Sequence, residues 1–123
     1  MSSERLIGAF DDIVHVIDLI ESWVKDAGGS EVALRPDTQA RSAIERQLLI
    51  ISEAAIRMHK IDSAAPARLA SAIDWPGVRG VGNFIRHKYD DLDGAIIAGV
   101  VGERLSTLRG ACSGAAKRLR EGK

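Results

Sequence analysis

Arg79, Asn83 and His87 are spaced by four and four. On a helix, residues four apart are about 40° out of line, so the three fall on one face and drift by about 80° across the set. Arg86 stands seven after Arg79 and three after Asn83 and joins the same side. Two guanidiniums, an amide and an imidazole along one stripe suit cleavage of an RNA phosphodiester without a metal. The 2′-hydroxyl needs a base and the departing 5′-oxygen needs a proton. An imidazole with an ordinary pKa of about 6.5 serves either step near neutrality. A guanidinium holds the phosphate and offsets the charge that develops on its oxygens. Asn83 is placed to orient the imidazole or to donate to the phosphate. A single histidine is poorly suited to act as acid and base in one turnover. A homodimer pairing two such helices would bring two histidines to a composite site.

The bland reading is that a histidine beside Arg86 and Lys88 is a solvated surface residue, and Asn-x-x-x-His alone is a weak signal. The other candidates are weaker still. His15 lies among Ile13, Val14, Val16 and Ile17 and reads as a helix-surface or boundary residue. His59 closes a helix, where a cation meets the negative end of the dipole. Cys112 is the one cysteine, so a disulfide framework or thiolate zinc cluster is excluded, and its apolar helical setting indicates packing. No pair of histidines or carboxylates has metal-ligand spacing, and neither a phosphate-cradling loop nor a serine-nucleophile motif is present. No metal or cofactor is expected. The 17 Lys and Arg balance the 17 Asp and Glu, which argues against non-specific nucleic-acid binding by the whole surface but leaves room for a local basic site. Twelve of those cations are arginine, the better residue for forked phosphate contacts.

The elements that must position this stripe read as helices. Leu6, Phe10, Ile13, Ile17, Ile20 and Val24 give one apolar face to a segment Ser3–Asp26, with Ser3 as its cap and Gly28-Gly29 as its stop. Ala40, Ile44, Leu48, Ile51, Ala55 and Met58 do the same for Thr38–Lys60, with Asp37 as the expected cap. A short piece, Ala64–Ile73, has Ser63 as cap and Pro66 in its first turn. Pro76–Tyr89 carries Gly77, Gly80 and Gly82, each costing about 1 kcal/mol against alanine inside a helix, which suggests that something approaches this backbone closely. Asp93–Arg120 completes the set, with Val101, Leu105, Leu108, Cys112, Ala115 and Leu119 as its buried stripe. No segment alternates with period two. The expected fold is therefore all-α, an up-and-down bundle of three long and two short helices in one domain, residues 1–123. The start, Met-Ser-Ser-Glu-Arg, is unlike a signal peptide, and no apolar run reaches membrane-spanning length. The cytoplasm is the expected location, with no membrane partner.

Trp75-x-x-Val78-Arg79-Gly80-Val81-Gly82-Asn83-Phe84-Ile85-Arg86-His87-Lys88-Tyr89 resembles the signature of the HepT-like HEPN toxins: a tryptophan, then Gly-x-Arg-Asn-x-x-x-His-x-Tyr. Upstream, the stretch from Ala43 to Ala55 resembles that family's second helix, which ends in an Ile-Gly-Glu-Ala-like run. The resemblance covers essentially the whole chain. It implies a HEPN helical bundle, a homodimer and metal-independent ribonuclease activity. It also implies an MNT-type nucleotidyltransferase antitoxin that neutralises the toxin by transferring AMP to the tyrosine of the motif. By position the histidine is His87, the asparagine Asn83 and the modified tyrosine Tyr89. AMP at Tyr89 would put bulk and negative charge where RNA phosphate should bind. The chain departs from the motif at one position, where Gly82 stands in place of arginine; Arg79 and Arg86 lie about one turn to either side.

The leading expectation is a ribonuclease toxin in which His87 is the general acid or base, Arg86 and Arg79 stabilise phosphate and Asn83 positions. Glu53 is a supporting candidate for orienting His87 or an arginine, its bland reading being a solvated helix carboxylate. A second reading is a non-catalytic HEPN module that binds the nucleotidyltransferase or a nucleotide. A third is an interaction protein whose polar stripe is a dimer rim.

Overall fold

The computed structural model of the chain describes residues 2–86 and 97–122. Among the described residues six α-helices follow in order: α1 (Ser2–Ala27), α2 (Ser30–Ala33), α3 (Gln39–Ile61), α4 (Ala65–Leu69), α5 (Trp75–Arg86) and α6 (Leu105–Arg120). No strand occurs among the described residues. The long helices are α1, α3 and α6. The shorter α4 and α5 were expected; the single turn α2 was not.

The apolar stripes build the core. Leu6, Phe10, Ile13, Ile17 and Ile20 of α1 are buried, as are Ile44, Leu48, Ile51, Ala55 and Met58 of α3 and Leu105, Leu108, Cys112 and Ala115 of α6. They belong to one hydrophobic cluster. α1 packs against both α3 and α6, and α3 against α5. Ion pairs fix the directions. Asp12, toward the middle of α1, meets Arg57 near the end of α3, at 2.8 Å. Asp18 meets Arg109 at 2.6 Å, and Asp11 pairs with Arg120, so α6 runs antiparallel to α1. The Arg109 guanidinium, through its hydrogen bonds and charge, holds the Asp18 carboxyl below the usual carboxylate range. These pairs are substantially exposed and set orientation more than stability.

Helix ends follow local chemistry, and three expected caps are corrected. α1 already begins at Ser2, so Ser3 lies inside its first turn. α1 ends as expected: Gly28 takes φ 99°, the Gly29 N–H reaches the Val24 carbonyl and the Gly28 N–H that of Lys25, a Schellman closure. Thr38, not Asp37, caps α3: its backbone is extended and its Oγ1 accepts from the Arg41 N–H at 3.2 Å. Asp37 sits at φ 61°, a left-handed geometry unlike that of an N-cap. At α4, Ser63 is no cap. The Asp62 carboxylate accepts from the Ala64 N–H, and the helix stops at Leu69 instead of Ile73.

α6 is entered through three helical residues, 97–99, and a π-helical stretch, Val100–Arg104. The expected single regular helix from Asp93 is thereby corrected over its described part. Ile97 and Leu105 are both buried. Eight residues apart, they would be about 80° out of phase on a regular α-helix; a one-residue π insertion brings them within about 20°. Val101, expected in the buried stripe, falls inside this stretch and is half-buried.

Candidate functional site

α5 is a weak helix by composition and is held from outside. Its start is capped by Asp74, whose Oδ1 accepts from the Gly77 N–H at 3.1 Å. A Cβ on Gly77 would sit 2.5 Å from Asp74 Oδ2, so glycine here keeps the cap tight. Trp75 anchors the first turn. It is 3% exposed, its Nε1 donates to the Ala70 carbonyl at 3.1 Å, and its ring meets Phe10 of α1 edge-on, with centroids 6.1 Å apart at 71°. Midway along, Ser52 of α3 donates its hydroxyl to the Arg79 carbonyl at 2.7 Å. The close approach suggested by the glycines is not seen at Gly77, where a Cβ would meet only Asp74 of its own cap, or at Gly80, which has open space beside it.

The faces of α5 separate core from site. Trp75, Gly82 and Ile85 are buried and Val78, Val81 and Phe84 half-buried. Arg79 is half-buried and Asn83 exposed, so this part of the stripe lies where α5 emerges from the bundle. Arg86 is the last described residue of α5. His87 and Tyr89 lie outside the described residues. Glu53 is exposed on α3, next to Ser52, and so lies near the level of Arg79 along the bundle. Within the packing of α3 on α5, Ser52 thus bonds to the Arg79 backbone. Sequence reasoning passed over Ser52, although a signal existed: a polar residue between Ile51 and Ala54-Ala55, within the buried face of α3. Arg41 was missed similarly. It is 8% exposed, with Nε donating to Glu45 at 3.0 Å and Nη1 to the Leu34 carbonyl at 3.4 Å.

A groove of about 480 Å3 runs between α3, α5 and the α6 segment. Leu48, Ile51, Val78, Val81, Leu105 and Leu108 form its apolar part, and Asp74, Glu103 and Arg104 add charge. A neighbouring hollow of about 190 Å3 extends it past Gly80 and Phe84. The remaining histidines are both exposed, His15 on α1 and His59 in the last turn of α3. Among the described residues, no group of three or more His, Cys, Asp or Glu is placed to hold a metal ion, and no helix is long and apolar enough to cross a membrane.

Cys112 packs in the core with no exposed surface, and burial pushes its thiol up to about 12. A thiolate is the reactive form, so the native protein should resist iodoacetamide at pH 8 and react fully once unfolded in urea. Rapid alkylation of the native chain, read by mass, would contradict this packing.

No curated protein and no solved structure matches the chain. The family model described as ribonuclease HepT-like matches residues 13–113, from the middle of α1 through α5 and well into α6. By that match, spanning the bundle and the helix that carries Arg79 and Asn83, the chain belongs to the HepT-like ribonuclease family.

Proposed function

We propose that this chain is the ribonuclease toxin of a toxin–antitoxin pair and that it cleaves RNA without a metal. The observation that carries the reading is the family match across a bundle in which Arg79 and Asn83 share the emerging side of a glycine-rich helix. The 2′-oxygen of the RNA attacks phosphorus while the bond to the 5′-oxygen breaks, leaving a 2′,3′-cyclic phosphate and a 5′-hydroxyl. His87 of one copy takes the 2′-proton, and His87 of a second copy protonates the leaving oxygen. Arg79 and Arg86 hold the phosphate, and Asn83 positions it or the imidazole. Gly82 is buried, so a side chain there would start from the core side of α5. This supports drawing the phosphate-binding cation from the neighbouring turns. Glu53 supports that cation or His87 from α3.

A homodimer follows from the need for two histidines, and the apolar groove offers a second copy surface to bury. The partner is an MNT-type nucleotidyltransferase antitoxin. It transfers AMP from ATP to Tyr89: the phenolic oxygen bonds to the α-phosphorus, pyrophosphate leaves and the phenol proton is lost. The modified side chain then occupies the phosphate site with like charge. The expected location is the cytoplasm, where both partner and RNA are found.

The test is RNA cleavage by the purified protein in EDTA, with growth followed on expression of the chain alone. Cleavage and slowed growth are expected. If neither occurs, the enzyme reading fails. The non-catalytic module, which the glycine at position 82 favours, then takes its place and is checked by binding to the nucleotidyltransferase. Incubation with that enzyme and ATP should add one AMP to the intact protein and none to Tyr89→Phe. No gain, or a gain that survives the substitution, removes the proposed switch while leaving the ribonuclease reading intact.

A further inference from the structure

We infer that Ser52 is a positioning residue that sets the register of α5 on α3 and so fixes where Arg79 and Asn83 are presented. The register is a matter of structure alone; its catalytic consequence rests on the ribonuclease reading above.

Ser52 is 1% exposed and, with Arg41, one of two buried polar or charged side chains among the described residues. A serine inside a helix commonly bonds back to a carbonyl of its own preceding turn. Ser52 instead donates across the interface to Arg79, 27 positions along the chain, at 2.7 Å. In the α-helical pattern the same Arg79 carbonyl accepts from the Asn83 N–H. The hydroxyl therefore grips the peptide group that joins the turn of Arg79 to the turn of Asn83.

The rest of the interface discriminates registers less well. From α5 it offers Val78, Val81, Phe84 and Ile85, and from α3 Leu48 and Ile51, all apolar. Apolar contact is non-directional. Gly77, Gly80 and Gly82 also give α5 little helical propensity of its own. Trp75 and Asp74 fix the start of the helix, but neither lies near Asn83 along it. A slip of one residue moves the backbone by about 1.5 Å and turns it by about 100°. That would break the Ser52 bond and swing the Arg79–Asn83 side away from its present direction. A directional bond at mid-helix resists this slip.

The experiment compares wild type, Ser52→Ala and Ser52→Thr by amide hydrogen exchange and by RNA cleavage kinetics. Ser52→Ala should retain its helical circular dichroism and cooperative melt, because it leaves no buried polar atom without a bond. Protection of the Gly82 and Asn83 amides should fall by about three- to tenfold relative to the α1 core. Cleavage should fall by a similar factor in kcat, with KM little changed, and Ser52→Thr, which keeps the hydroxyl, should recover both. Unchanged protection in Ser52→Ala overturns the register role. A wild-type kcat for that variant overturns its consequence for the site. Should the wild type itself not cleave RNA, the ribonuclease reading fails, and the exchange measurement still decides the register. If Ser52→Thr does not fold for want of room, Ser52→Cys, with a weak donor of similar size, takes its place and should give intermediate protection; protection no better than that of Ser52→Ala counts against the bond.

Discussion

His87→Ala should lower RNA cleavage by about two to four orders of magnitude, the usual contribution of general acid–base catalysis. The chain has three histidines, so the controls are built in. His15 and His59 are exposed on α1 and at the end of α3, and neither belongs to the proposed stripe. His15→Ala and His59→Ala should therefore cleave as wild type does. The comparison also separates the two arginines. Whichever of Arg79→Ala and Arg86→Ala approaches the loss seen for His87→Ala carries the charge that the family motif places at position 82. Fragments are followed on a gel under single-turnover conditions, so that product release does not mask the chemical step. Wild-type cleavage by His87→Ala would sink the acid–base assignment.

The largest effect on stability is expected at Trp75. Its side chain is 3% exposed, meets Phe10 of α1 edge-on and donates to the Ala70 carbonyl, tying α5 to both the core and the preceding loop. Trp75→Ala removes both contacts and leaves a cavity, at a cost of about 3–5 kcal/mol. That is a large part of the roughly 5–15 kcal/mol available to an ordinary domain. The low intrinsic helicity of α5 adds to the effect, because little within the segment resists its release. Trp75→Phe keeps an aromatic edge toward Phe10 but loses the indole donor, and should cost about 1–3 kcal/mol. Urea titration followed by circular dichroism measures both. A Trp75→Ala variant as stable as wild type would show that α5 is not anchored by this residue.

Fold class and the three long and two short helices were legible because the information is local; the single turn α2 was not. The stripes from Leu6 to Ile20 and from Ile44 to Met58 are periodic over several turns, and both are buried where they should be. Caps were less legible. Arg35-Pro36-Asp37-Thr38 offers two adjacent residues able to cap, and the choice depends on which takes the extended backbone. The π turn left no mark, since one extra residue between Ile97 and Leu105 is invisible where apolar residues are dense. At the site, the spacing of Arg79 and Asn83 could be read directly. The contact of Ser52 with Arg79 could not, because helical periodicity shows which face is buried and not which residue on another helix it meets. His87 and Tyr89 were reached through the motif alone.

The π-helical stretch at Val100–Arg104 bears on how this chain could change length over its history. Loss of one residue there, Gly102 for example, would leave Ile97 and Leu105 seven apart, the ordinary heptad interval, with their apolar faces still aligned. A deletion inside a regular helix instead rotates everything beyond it by about 100° relative to what came before. A chain one residue shorter just ahead of α6 would therefore keep the same core: the stretch is a place where a codon can be lost without repacking the bundle.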